Sequence, residues 1–295
     1  MTETPASPIR NVSDTALWVA ICRARESERP DAIFHDPYAR RLGGARGEAI
    51  LRSMPGGTST AWPIVVRTAV MDEIVSACVR EGAKTVLNLA AGLDARPYRM
   101  ALPADLRWIH VDMPEMIEYF RTGMAGETPR CRLEFVGADL RDPDVRRAVF
   151  ADAATEAPVL VITEGLLIYL NEDDVAPLAR DLREVVRARW WLSDLASPTL
   201  LKMMGRKWAR RLEAGNSPFR FAPAAGTAYF EPFGWREIEW RSSWTESFRL
   251  GRTMRFGRIM NLLGKLRSKQ KQAESLRISG IMLLGPTAAP THETP

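Results

Sequence analysis

Three acidic residues stand where short apolar runs of this chain end. Asp112 closes Arg107-Trp-Ile-His-Val-Asp112, Asp139-Leu140 follows Leu133-Glu-Phe-Val136, and Glu164-Gly165 follows Val159-Leu-Val-Ile-Thr163. Ahead of them, Val86-Leu-Asn-Leu-Ala-Ala-Gly92 passes from an apolar run into Ala90, Ala91 and Gly92, and a helix can start at Pro97. Small residues in such a turn let a ligand approach the backbone closely. Ligands of open α/β sheets bind beyond the carboxyl ends of the strands, where strand order reverses, and an acid about 20 residues past the glycine turn can hold both hydroxyls of a ribose. Asp112 has that spacing from Gly92, and Asp139 is placed to accept from an adenine amine. Three strand-end acids suit a cationic, adenosine-containing ligand better than a dinucleotide pyrophosphate. Ala90–Ala95 also lacks the G-x-G-x-x-G turn of a nicotinamide dehydrogenase. Each acid alone has a plainer reading as a cap of the following helix.

The elements that must position these residues follow from periodicity. Up to about residue 82 the chain reads helical. Ser13-Asp14 can cap a helix running to about Glu28, a second strong helix spans about Trp62 to Arg80, and Gly43-Gly44 and Met54-Pro-Gly-Gly57 are breaks. From Thr85 the rhythm changes to short apolar runs separated by the helical stretches Pro114–Thr122, Asp142–Ala151 and Glu172–Arg187, with Trp190–Leu195 the fifth run. Repeated βα units imply a parallel sheet with right-handed crossovers. Later come helical Leu200–Ala214, a loop-like Asn216–Thr227, a strand near Arg236–Arg241 and a final strand Ile278–Leu284. The expected organisation over 1–295 is one α/β domain. Residues 1–82 form a helical cap, 83–285 an α/β core with an insertion at about 198–232, and 286–295 a Pro/Thr tail.

Composition excludes several classes. The charge is +5, but most basic residues alternate with acids, and only Lys265–Lys271 forms a basic run, read as a solvated helix face. Nucleic acid and membrane are therefore not expected as partners. Cys22, Cys78 and Cys131 show no metal or redox spacing, so they read as buried hydrophobes, no metal site is expected, and a cytoplasmic compartment fits.

The residues also carry a resemblance. Thr15–Ala20 with Arg23-Ala-Arg25, Asp36-Pro-Tyr38, Arg67–Asp72, Asn88–Arg99, Val111-Asp-Met-Pro114, Ala138-Asp-Leu140 and Thr163–Leu170 resemble, in order and spacing, the leucine carboxyl methyltransferase family in its bacterial natural-product branch. Trp191-Leu-Ser-Asp194 and Phe233-Gly-Trp235 extend the likeness over nearly the whole chain. The resemblance implies a class I methyltransferase fold: a doubly wound, mostly parallel seven-stranded sheet with a helical lid and an antiparallel last strand. It implies S-adenosylmethionine as cofactor. By position, Arg67 matches the arginine that clamps the methionine carboxylate, and Ala90 and Gly92 the first loop. Asp112 and Met113 match the ribose region, Asp139 and Leu140 the adenine contacts, and Glu164 the acid beneath the methionine part. The family's Leu-Gly-Ala-Gly is Leu89-Ala-Ala-Gly92 here, and no lysine matches the cofactor-contacting one of the eukaryotic enzymes.

The acceptor implied by the resemblance is a carboxylate of a small-molecule or peptide natural-product intermediate, with a phenol or other hydroxyl as the alternative and a silent cofactor-binding protein as a third reading. A carboxylate is already anionic at neutral pH, whereas a phenol usually needs a base. Of three histidines, His35 is the one placed to be a lid base; Tyr169 and Glu164 are the other catalytic candidates. Arg23, Arg25 and Tyr38 either meet an anionic acceptor or pair on the surface, and Arg67 has an alternative as a local partner of Asp72 or Glu73.

Overall fold

The structure, a computed structural model, describes residues 12–53, 61–203, 219–264, 266 and 268–287. Its centre is a seven-stranded sheet of order β3-β2-β1-β4-β5-β7-β6. The strands are β1 (Thr85–Leu89), β2 (Arg107–Asp112), β3 (Arg132–Gly137), β4 (Val159–Thr163), β5 (Trp190–Ala196), β6 (Trp235–Ser242) and β7 (Ser279–Pro286). β1 to β5 are mutually parallel, and β7 runs antiparallel between β5 and β6. That is the architecture expected above, with β7 inserted inside the sheet rather than added at its edge.

Alternation along the strands sends side chains to two cores. Val86, Trp108, Leu160 and Ile162 pack with Val66, Val70, Ile74 and Val75 of α3 (Trp62–Arg80). Leu87, Leu89, Ile109, Val111 and Val161 pack on the other face with Phe150 of α6 (Pro143–Ala153) and Val175, Leu178 and Leu182 of α7 (Glu172–Glu184). A sheet buried on both faces needs near-continuous apolar strands, and β1 and β4 are buried at every position. Burying one leucine or valine side chain contributes about 1.5–3 kcal/mol, so these layers fix where the strand ends lie.

The cap consists of α1 (Val12–Ser27) and α2 (Ala39–Ser53), the latter kinked at Gly44. Leu17, Ala20, Leu42 and Ile50 pack on Leu93, Tyr98, Met116 and Phe120, which seats the cap over the β1 turn and α5 (Pro114–Gly123). α4 (Arg96–Arg99) is a single turn. The expected break at Met54–Gly57 lies outside the described residues, as does most of the helix expected over Leu200–Ala214, whose described part is helical. Two helices after β6, Ser243–Arg249 and Gly257–Gly264, have no counterpart in the sequence reading; a third, Lys269–Leu276, begins inside the basic run. All three cysteines are free and buried.

Candidate functional site

The order of strands reverses at β1, with β2 on one side and β4 on the other. Beyond the carboxyl ends of these strands opens a cavity of about 1810 Å³, whose lining includes Arg67, Ala90, Gly92, Asp112, Met113, Asp139, Leu140, Glu164 and Tyr169. All eight expected cofactor residues thus share one crevice. Such sites ordinarily measure about 300–1,000 Å³, so this one has room for two ligands side by side.

Asp112 ends β2 facing the glycine turn. Its Oδ2 accepts from the Gly92 amide at 2.6 Å and its Oδ1 from the Met113 amide at 2.7 Å. Burial pushes its carboxyl up while the two amides pull it back, the net shift being upward. Each carboxylate oxygen keeps a second acceptor position for a hydroxyl. Gly92 itself has φ +55, and a Cβ there would meet Ala16 of the cap at 3.4 Å. Ala90, the departure from the family pattern, also has a left-handed φ of 51. An L-residue pays about 1–2 kcal/mol for that conformation and glycine does not. The alanine therefore sits in the geometry that the glycine pattern serves.

Arg67 is not paired locally. Its Nε donates to Glu164 Oε1 at 3.0 Å and its Nη1 to Asp194 Oδ2 at 3.1 Å. The expected alternative, pairing with Asp72 or Glu73, fails on helical geometry: residues five or six apart lie on different faces, while those three or four apart meet. Asp72 instead holds Arg96 and Arg99. Arg67 Nη2 has no hydrogen bond among the described residues and Nη1 keeps a second N–H, so the guanidinium, which lines the cavity, retains donors for a ligand.

Behind Arg67 lies a network that the sequence reading missed. Arg96 is almost fully buried and donates from Nη1 to Asp94 and Glu164, both at 2.8 Å, and from Nε to Asp72 at 2.7 Å. Asp94 is fixed in turn by Asn88 at 2.8 Å. Asp194 accepts from the Gly165 amide at 2.6 Å. Burial opposes charge on Glu164, but Arg96 and Arg67 outweigh it and hold its carboxyl at about 2. With Arg23 and Arg99 sharing Asp36, four arginines face five carboxylates: Asp36, Asp72, Asp94, Glu164 and Asp194. Asp36 and Asp72 are not among the cavity residues, so part of this network lies behind the crevice wall. Arg96 and Asp72 both stood within the quoted motifs, but only the fold could show that they meet.

The other expectations divide. Asp139 reaches the cavity, yet Arg141 grips it through Nε and Nη2, the latter at 2.6 Å, and lowers its carboxyl. His35 is exposed and is not among the cavity residues; its neighbour Asp36 turns inward to Arg23 instead. Arg25 pairs with Glu48, and Tyr38 packs edge-on against Tyr98. The ion-pairing alternative therefore describes Arg25, and Arg23, which lines the cavity, is tied to Asp36 and the Leu93 carbonyl. Tyr169 lines the cavity beside Phe219. Burial raises its phenol, against a smaller lowering by a hydrogen bond with Thr15, so it keeps its proton at neutral pH. Among the described residues no group of His, Cys, Asp and Glu could hold a metal ion, and no helix is long and apolar enough to cross a membrane.

The chain is similar to several proteins of known sequence or structure. A Streptomyces coelicolor protein is 37% identical over 185 residues, which cover 58% of this chain and 64% of that protein. A Parafrankia protein is 35% identical over 181 residues, 58% of each chain. Both are named, provisionally, as S-adenosyl-L-methionine-dependent methyltransferases. The match thus spans less than two thirds of either relative's length. A DUF574-family protein from Streptomyces avermitilis superposes with a TM-score of 0.58 at 16% identity, covering 92% of this chain and 97% of that one. A Thermobifida fusca protein, described provisionally as a methyltransferase, gives 0.55 at 16% identity over 95% and 96%. These two likenesses speak for the fold alone. The sequence pattern of the leucine carboxyl methyltransferase family matches residues 16–183, more than half of the length, and the chain belongs to that family.

Proposed function

We propose that this protein is an S-adenosylmethionine-dependent methyltransferase that esterifies a carboxylate of a small-molecule or peptide acceptor. The residues present fit the cofactor. Asp112 offers two preoriented carboxylate oxygens at the β2 end, Gly92 keeps the turn open, and Arg67 retains donors for a ligand. When bound there, the cofactor supplies an electrophilic methyl group for in-line displacement. The chain's own part is to hold donor and acceptor collinear and to exclude water, which can contribute up to ~7–11 kcal/mol.

One observation carries the choice of acceptor: the three candidate bases are unsuited to take a proton. His35 lies outside the cavity, Tyr169 retains its phenolic proton, and Glu164 is held at about 2. His110 does not replace them. It is fully buried, its Nε2 is bonded to the Gly92 carbonyl at 3.2 Å, and burial lowers it to about 4. That none of these four described groups is poised as a base favours an acceptor that arrives ionised, with its pKa near 4 rather than near 10.

The test has two stages. Calorimetry with S-adenosylmethionine, and with S-adenosylhomocysteine, checks the cofactor reading. Release of S-adenosylhomocysteine with a panel of carboxylic acids and phenols then checks the acceptor. An ester product loses its methyl as methanol in alkali, and a base-stable product overturns the ester reading alone. Tight binding without turnover on any acceptor supports the silent-binder reading instead.

A further inference from the structure

Residues 255–271, Arg-Phe-Gly-Arg-Ile-Met-Asn-Leu-Leu-Gly-Lys-Leu-Arg-Ser-Lys-Gln-Lys, contain six basic residues and no acid. The helix Gly257–Gly264 within them does not bury an apolar stripe against the protein. Phe256, Ile259, Met260 and Leu263 recur at helical spacing on one face, and Leu262 and Leu266 extend it. All six are exposed, from 51% for Met260 to 83% for Leu266. Single exposed apolar residues need no explanation, but six within eleven positions do. The segment is attached mainly through its inner side, where Trp244 Nε1 donates to Asn261 Oδ1 at 3.2 Å and Gly257 is buried.

Charge decides what covers this face. Several nearby arginines are matched with acids, as in Arg241 and Arg249 with Glu73 and Glu246 or Arg252 with Glu26. Among the described residues, Arg255, Arg258, Lys269 and Lys271 are exposed and have no ion pair. Unneutralised cations flanking an exposed Phe/Ile/Leu face are the signature of a helix that lies in a lipid interface and is drawn to anionic headgroups. A second copy of this chain would bring Arg255, Arg258, Lys269 and Lys271 against their own counterparts, which opposes a symmetric pairing. We infer that residues 255–271 dock the protein on an anionic lipid bilayer, with Phe256, Ile259, Leu262, Leu263 and Leu266 entering the interface and the cations above them. The sequence reading of Lys265–Lys271 as a plain solvated face left these apolar neighbours out. Met254, Met260 and Asn261 also line the large cavity, so docking sets one wall of the cavity against the bilayer. The inference does not rest on methyl transfer.

The test is co-sedimentation of the full chain with vesicles of phosphatidylglycerol and phosphatidylcholine, against phosphatidylcholine alone, at low and high salt. Binding to the anionic vesicles only, weakened by salt, is expected. Lys269→Gln and Lys271→Gln should each lower partitioning about fivefold. Leu262→Ser combined with Leu263→Ser should abolish it, with an unchanged melting temperature because both side chains are already exposed. Equal partitioning to neutral vesicles overturns the inference, as does absence from the anionic pellet. A dimer seen by light scattering and dispersed by the double serine variant, without vesicle binding, overturns it in favour of a second copy.

Discussion

Glu164→Gln is the sharpest probe of the floor of the crevice. The substitution keeps size and one acceptor oxygen but removes the charge between Arg67 and Arg96, which approach it at 3.0 and 2.8 Å. The carboxyl falls from its ordinary 4.5 to about 2 in the fold. At about 1.4 kcal/mol per tenfold change in proton affinity, the ionised form contributes about 3 kcal/mol of stability. Removing one partner of a buried pair costs about 3–5 kcal/mol. The lower end applies here, because Arg67 keeps Asp194 and Arg96 keeps Asp72 and Asp94. The pH dependence follows from the direction of the shift. A carboxyl depressed by folding contributes fully above its unfolded value of 4.5, and that stability is lost as pH falls through about 2. Denaturant unfolding of wild type and variant should therefore show a gap of about 3 kcal/mol at pH 6, smaller by roughly 1 kcal/mol at pH 4. A variant as stable as wild type at pH 6, or a gap that acid leaves unchanged, refutes the electrostatic account.

Four further outcomes are expected. Asp112→Ala should lose two hydrogen bonds to a ribose, about 1.5–3 kcal/mol each, and calorimetry with S-adenosylmethionine showing unchanged affinity would remove Asp112 from the site. Arg67→Lys should weaken S-adenosylmethionine but not methylthioadenosine, which lacks the amino-acid carboxylate; equal losses would make Arg67 structural. Ala90→Gly relieves a left-handed residue worth about 1–2 kcal/mol against an entropy cost of roughly 0.4–1 kcal/mol, so a thermal melt should show a small gain, and a loss would contradict the strain. His110 is buried neutral at about 4 from an ordinary 6.5, so it contributes stability above pH 6.5 that is lost as pH falls through about 4; His110→Phe, stacked on Phe120, should flatten the unfolding profile in that window alone.

Much of the sheet could be read from the chain because its strands are continuous apolar runs bounded by charges and prolines. Arg107–Asp112, Val159–Thr163 and the helix Trp62–Arg80 stand where periodicity places them. The strand-end acids were legible for the same reason: a residue that closes a parallel strand must face the crevice. The Arg96 network was not, since Arg96 and Glu164 are 68 residues apart and Arg67 and Asp194 are 127 apart. Local spacing even pointed the wrong way for Arg67. The helices after β6 were missed because Ser243–Arg249 and Gly257–Gly264 are only seven and eight residues long, too short for periodicity to stand out. His35 misled because a histidine beside a cap motif says nothing of which way its ring points.

The insertion of β7 between β5 and β6 has a consequence for the order in which the molecule is assembled. β6 has no neighbour but β7, and Gly280 of β7 lies so close under Trp240 that a Cβ there would sit 2.4 Å from the indole. A ribosome delivers β6 well before its partner. Until residues 279–286 emerge, Trp235, Trp240 and the apolar helix between the two strands have no sheet edge to join. N-terminal portions fold first during synthesis, so the first five strands and the β1 crevice can form while this last third waits. Apolar surface stays exposed in that interval, and a stop codon ahead of Ser279 would cost two strands rather than one.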